Sequence, residues 1–272
     1  MSQKSPIRSP KLPFVFVNMA MTADGKIATA NRAIHSFGSP RDLRHLYELR
    51  ATADAIISGA RTVEISESTM GNGGEKFRRR RLKNGLAEFP LRLIASGSGS
   101  VDPEAKIFQK RVSPVIVLTT QGAGEKKLAR LRGRADEVKI FGEKEIDFPA
   151  ALRWLRAKKN VKRLLCEGGG ALNEALFRAN LVGEIHLTIC PKIFGGRSAP
   201  TIADGLGFSR LALAQQFKLA SAENFKGELF TVFSRRRRDK DSAPVKFPEN
   251  LLKFFQRHCQ RGSAGARFPK KV

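Results

Sequence analysis

Between residues 161 and 190 the chain reads VKRLLCEGGGALNEALFRANLVGEIHLTIC, and this stretch decides the fold. The pattern predicts a strand over Val161–Cys166, a turn at Glu167-Gly168-Gly169-Gly170, a helix over Ala171–Asn180 and a strand over Glu184–Cys190. Two short strands joined through a helix are the sequence form of a parallel pair, since parallel neighbours need a crossover of a dozen or more residues. Three consecutive glycines exceed what a tight turn requires. Glycine lets the backbone approach a ligand closely, and the helix opening behind it offers free N–H groups to a phosphate. The turn is not the G-x-G-x-x-G of a Rossmann domain, nor does it follow the first strand, where that fingerprint belongs.

Outward from this unit, the same alternation recurs. Strands are predicted over Pro13–Met19, Asp54–Ser58, Pro90–Ala95, Pro114–Thr119 and Glu137–Phe141, and helices over Ser39–Thr52, Glu125–Leu131 and Phe148–Lys159. Ser39 is a good N-cap with Pro40 at the first helical position, and Leu43, Leu46, Tyr47 and Leu49 recur at helical spacing. Ala212–Ala220 and Glu228–Phe233 read as a final hairpin through Gly227. The expected fold class is α/β, a mostly parallel sheet flanked by helices with a C-terminal antiparallel hairpin. Residues 13–234 read as the folded domain, 1–12 as a basic N-terminal extension and 235–272 as a basic tail. Within the tail, Phe247, Leu251, Leu252, Phe254 and Phe255 suggest a short docking helix. Ser66–Glu88, long, Gly-rich and basic, reads as a mobile loop.

The 272 residues carry 50 Lys+Arg against 25 Asp+Glu, a net charge of +25. A field of that sign attracts phosphates, whether on nucleic acid, an anionic membrane, or a phosphorylated substrate and cofactor. Much of the excess is peripheral: the tail and the segment Lys76–Lys83 hold most of it. Three cysteines without a C-x-x-C pair fit a reducing, cytoplasmic setting, with Cys166 and Cys190 buried and inert. The start lacks the apolar core of a signal peptide, and no run of about 18 apolar residues is present to span a membrane.

Several enzyme classes fail on inventory. There is no P-loop G-x-x-x-x-G-K-[S/T] and no G-x-S-x-G. The four histidines lack the spacing of a zinc deaminase or protease, so no metal is expected, and His258-Cys259 reads as incidental. Two weaker patterns remain. Asn18–Ala28 leaves the first strand through Asp24-Gly25-Lys26, in isolation an ordinary turn, and Gly59-Ala60-Arg61-Thr62-Val63 opens a helix after a strand, a second phosphate cradle in outline.

Taken in order, VNMAMTADGKIAT (17–29), LRATADAIISGARTV (49–63), RLLCEGGGALNEALF (163–177) and LVGEIHLTICPKIFGG (181–196) resemble the riboflavin-pathway pyrimidine reductase family. Its members occur alone or as the C-terminal half of bifunctional deaminase-reductases and share a dihydrofolate-reductase-like fold. The resemblance implies that NADPH reduces the ribosylamino side chain of a phosphorylated pyrimidine to ribitylamino, with hydride going to the sugar C1′ of the ring-opened imine. It places Gly168, Gly169, Gly170, Ala171 and Leu172 at the NADPH phosphates and Thr62 at the cofactor. Arg50 and Glu167 fall at the substrate. Glu167, Asp24 and Asn18 are the implied catalytic candidates, Glu167 as a possible proton source for ring opening. The resemblance also implies a homodimer, with the final strands suited to the interface.

The departures bear on the substrate. Ser66, grouped with the cofactor contacts, stands where the family usually has an aspartate, followed here by Glu67 and Ser68. The next segment, where substrate phosphate contacts are expected, is replaced by the basic stretch Gly71–Lys83, whose Arg78–Arg81 offer a substitute anion site. The family's usual tryptophan is missing near His35-Ser36-Phe37. Asn18 leans toward the diaminopyrimidine, the substrate before deamination. Two other readings stand beside this one: a reductase of the same fold acting on another substrate such as a dihydropterin, and a nucleic-acid-binding protein using Arg78–Arg81 and Arg235–Arg238. Only Phe77 interleaves with those arginines, which disfavours nucleic acid.

Overall fold

A computed structural model describes residues 12–235. Along them run β1 (Phe14–Thr22), α1 (Pro40–Arg50), β2 (Ala55–Gly59), α2 (Ala60–Ser66), α3 (Glu75–Lys83), β3 (Leu91–Ala95), α4 (Lys106–Gln109) and β4 (Val115–Thr119). Then follow α5 (Glu125–Arg132), β5 (Glu137–Ile140), α6 (Phe148–Lys158), β6 (Arg163–Cys166), α7 (Gly170–Arg178), β7 (Val182–Cys190), β8 (Phe217–Phe225) and β9 (Glu228–Arg235). The strands form one sheet in the order β5-β4-β3-β2-β6-β1-β7-β9-β8. Every pairing from β5 across to β7 is parallel, and β7–β9 and β9–β8 are antiparallel. The mostly parallel sheet with a closing hairpin is the expected architecture.

Two hydrophobic clusters fill the two faces of the sheet. Val15, Val17, Ile57, Leu164 and Cys166 pack with Leu152 and Leu155 of α6 and Leu172 and Leu176 of α7. The residues alternating with them, Phe16, Ile56 and Leu165, pack with Leu49 of α1, Val63 of α2 and Leu131 of α5. Such continuous apolar strands are what burial on both faces requires. Cys166 and Cys190 are both buried free thiols, and burial pushes each up to about 12.

The segment 66–88 corrects an expectation. It is no mobile loop, because Glu75–Lys83 folds as α3. Charge hides the pattern: Phe77 and Arg81, one turn apart, are both buried on one face. The Phe77 ring lies 5.4 Å from that of Tyr47. Arg81 Nη1 donates to the carbonyls of Arg50 (2.5 Å) and Ala53 (2.8 Å), and its Nε to that of Ala87 (2.8 Å). Glu75 accepts from Arg78 and Arg79 at the i+3 and i+4 spacings that stabilise helices.

The penultimate strand also differs. The run read as starting at Ala212 begins as β8 at Phe217, and Leu211–Leu213 is a short 3₁₀ turn. The register is set from the other end. Lys226 and Gly227, both at positive φ, make a two-residue hairpin turn that pairs Phe225 with Glu228. Residues 1–11 of the expected basic N-terminal extension, Arg236–Arg238, the docking helix around Phe247–Phe255 and His258-Cys259 lie outside the described residues. Among those described, no helix is long and apolar enough to cross a membrane.

Candidate active site

Strand register assembles the site. Val17 and Ile57 both align with Cys166, so the next residues, Asn18, Ser58 and Glu167, come side by side from β1, β2 and β6. They alternate with Val17, Ile57 and Cys166 and so share the sheet face covered by α1. Glu167 N–H donates to the Ile57 carbonyl (3.0 Å) and Gly59 N–H to that of Gly168 (2.9 Å), which continues the sheet contact past the end of β6. The chain departs from here in opposite directions along the sheet, the kind of crevice where open α/β sheets bind ligands.

A cleft of about 1260 Å³ opens over this row. That exceeds the roughly 300–1,000 Å³ typical of a single ligand. On the β2–β3 side its walls are Gly59–Thr62, Ser96–Ser98 and the start of α7; on the β1 side they are Asn18, Ala20, Ile27, Ala28, the segment 35–39 and α1. Arg50 and Glu167 sit between. Their pair is bidentate, Arg50 Nε and Nη2 each 2.6 Å from a carboxylate oxygen, while Nη1 donates to the Gly71 carbonyl (3.0 Å). Both side chains are about nine-tenths buried. Burial would pull the Arg50 guanidinium down, but the facing carboxylate holds it above its ordinary value.

The glycine turn is built by close packing. Gly168 has φ +79°, and a Cβ there would collide with Met19 Sδ. At Gly170 a Cβ would collide with Asp204 Oδ2 and meet the Thr201 carbonyl at 2.6 Å. Gly169 N–H donates to Thr62 Oγ1 (3.1 Å), tying α2 to the turn. No side chain caps α7 at Gly169 or α2 at Gly59. The first amides of a helix have no intrahelical acceptor. At α7 these belong to Gly170, Ala171 and Leu172, all of which line the cleft.

The remaining expected residues divide. Asn18 lines the cleft, with Oδ1 buried and without a partner among the described residues. Ser66 also lines it, but its hydroxyl donates to the Thr62 carbonyl (2.6 Å) within α2. Asp24 is not among the lining residues. Its carboxylate accepts from Thr22 Oγ1 (2.5 Å), Phe194 N–H (3.2 Å) and Gly195 N–H (2.7 Å), and the Thr22 bond above all holds it below the usual carboxylate range. It closes a loop. Nor do the arginines of α3 line the cleft: Arg78 pairs with Glu75 and Glu88, Arg79 with Glu75, Arg80 is exposed and Arg81 is enclosed. Phe77 is buried and offers no face to a base.

The helical-spacing face of α1 divides. Leu49 is in the core, whereas Leu43, Leu46 and Tyr47 line the cleft together with Ser39, Asp42 and Arg50. A signal was present, since a core stripe does not carry Asp and Arg at the same helical spacing. Asp42 is half-buried: burial pushes its carboxyl up, a hydrogen bond with Thr188 opposes this, and the Glu228 carboxylate adds to it.

Residues 13–230 match the family model of the RibD C-terminal domain. The chain belongs to this family. It is 33% identical over 223 residues to the 2,5-diamino-6-ribosylamino-4(3H)-pyrimidinone 5′-phosphate reductase of Archaeoglobus fulgidus, covering 82% of this chain and 98% of that one. The enzyme of the same name from Methanothermobacter thermautotrophicus is 31% identical, with the same coverages. Among solved structures, a pyrimidine reductase-like protein from Corynebacterium diphtheriae superposes with a TM-score of 0.69 at 21% identity, over 83% of this chain and 92% of that one. RibD C-terminal domains thus supply both the sequence pattern and the fold.

Proposed function

We propose that this RibD C-terminal domain protein is an NADPH-dependent reductase that converts a ribosylamino-pyrimidine 5′-phosphate to its ribitylamino product in riboflavin biosynthesis. The observation that carries the reading is the two-sided cleft, with an uncapped helix start on one side and an unpartnered amide oxygen on the other. The near end-to-end match to reductases of stated substrate supports the diaminopyrimidine as that substrate.

The residues present fit the cofactor. The free amides at Gly170–Leu172, aided by the positive end of α7, suit a pyrophosphate. Thr62 fixes the turn through Gly169. When bound, NADPH would supply hydride to C1′ of the opened sugar. The β1 side is left for the substrate, between the apolar wall of Leu43, Leu46 and Tyr47 and the polar Asn18. Glu167, accepting on both oxygens from Arg50, is an anchored acceptor at the junction of the two compartments. Glu167→Gln separates anchoring from proton supply: near-normal turnover removes Glu167 as the proton source.

The test is spectrophotometric. Purified protein is mixed with NADPH and, separately, with the diamino and the deaminated ribosylaminopyrimidine phosphates, and loss of NADPH absorbance is followed. Consumption with the diamino substrate is expected, and consumption with neither would overturn the reading. Size measurement in solution tests the accompanying inference of a homodimer.

A further inference from the structure

We propose that Asp42 reads the edge of the pyrimidine formed by N3–H and the 2-amino group, and so makes this enzyme select the substrate before deamination. The inference rests on the reductase reading above and names the residue that sets its specificity.

Asp42 occupies the third helical position of α1, behind the N-cap Ser39. In an S-x-x-D capping box the acid would accept from the backbone N–H of the cap. Here that N–H donates to Glu228 Oε1 of β9 (2.8 Å), and Ser39 Oγ donates to the same carboxylate (2.5 Å). Glu228 has taken over the capping duty, so Asp42 is released from it. Its Oδ1 is buried with no hydrogen-bond partner among the described residues, yet the residue lines the cleft. A buried acceptor without a donor is costly, and such atoms in native proteins call for an explanation.

The surroundings say what would satisfy it. Thr188 hydrogen-bonds the Asp42 carboxyl, which leaves Oδ1 without a donor, and Thr188 stands on β7 beside Ala20, two residues along the same face of β1 from Asn18. The β1 side of the cleft therefore holds two orphaned oxygens, Asn18 Oδ1 and Asp42 Oδ1, both acceptors, between apolar walls. They require a flat ligand rich in donors. The diaminopyrimidinone presents two adjacent donors, N3–H and the 2-amino group, and a carboxylate accepts both. Its deaminated counterpart presents N3–H beside a carbonyl oxygen, which would face a carboxylate oxygen with no proton between them. A site built to hydrogen-bond one group rejects the analogue lacking it more strongly than apolar contacts can.

The experiment compares kcat/KM for the diamino and deaminated substrates in wild type and in Asp42→Asn, whose amide accepts from N3–H and donates to the 2-carbonyl. Wild type should favour the diamino substrate by on the order of a hundredfold, and Asp42→Asn should lose or reverse that preference, with the NADPH dissociation constant unchanged. An unchanged preference in a folded Asp42→Asn overturns the role of Asp42 alone. Turnover of neither substrate by wild type overturns the reductase reading as well. A second measurement needs no variant: 2,5,6-triaminopyrimidin-4-one should inhibit wild type at least tenfold better than 5,6-diaminouracil, by about one good hydrogen bond to a charged group. Equal inhibition contradicts the proposal.

Discussion

The glycine turn at 167–172 and the basic helix α3 at 75–83 both read, in sequence, as places for an anion, and their donors end up in opposite conditions. At the turn, backbone amides open into the cleft at an uncapped helix start, with almost no charge involved. In α3, Arg81 is enclosed, its Nε and Nη1 on three carbonyls and its Nη2 buried without a partner among the described residues, and Arg78 and Arg79 are paired with carboxylates. Formal charge counts cations, whereas binding depends on donors that open into the cleft. Arg50 joins the two regions: its carbonyl accepts from Arg81, and its guanidinium holds Glu167 at the head of the turn.

The largest effect should come from cutting that joint. Arg50→Ala leaves the Glu167 carboxylate buried and unpaired, and urea unfolding should show a loss of about 3–5 kcal/mol. Arg81→Met comes next. It strips a donor from the carbonyls of Arg50, Ala53 and Ala87, of which that of Arg50 keeps the Ala53 N–H, and should cost about 1–3 kcal/mol in all. Its folded fraction should still bind NADPH and substrate with normal affinity. Full stability with weakened substrate binding would break the comparison, because Arg81 would then be an anion ligand.

Gly170→Ala sharpens the other side. The added methyl must displace Asp204 and the Thr201 backbone, so the start of α7 shifts; NADPH affinity measured by calorimetry should fall about tenfold, near 1.4 kcal/mol. Unchanged affinity would detach the glycine turn from cofactor binding. The smallest effect belongs to Arg80→Ala, on the exposed face of α3, which should alter stability by no more than about 0.5 kcal/mol.

Much of this was legible in the chain because local and global signals agree there. The strand–turn–helix–strand of 161–190 carries period, punctuation and a buried cysteine in one line. Arg50, Thr62, Glu167 and Gly168–Gly170 converge because each stands at or near the end of an element, where register fixes its neighbours. What failed did so for physical reasons. Arg81 is buried, and burial of a cation without a carboxylate partner leaves no apolar period to read; desolvation pulls it down to about 10. The cleft-facing stripe of α1 has the same spacing as a core stripe, and only its Asp and Arg betray it. Asp204, which crowds Gly170 from a distant loop, gives no local signal at all.

The most direct test follows the hydride. The protein is incubated with the diaminopyrimidine phosphate and NADPH carrying deuterium at the transferable nicotinamide position, and the product is read by mass spectrometry. One deuterium at the ribityl C1′ is the predicted result. NADPH that binds the cleft while the pyrimidine gains no deuterium would contradict the assignment.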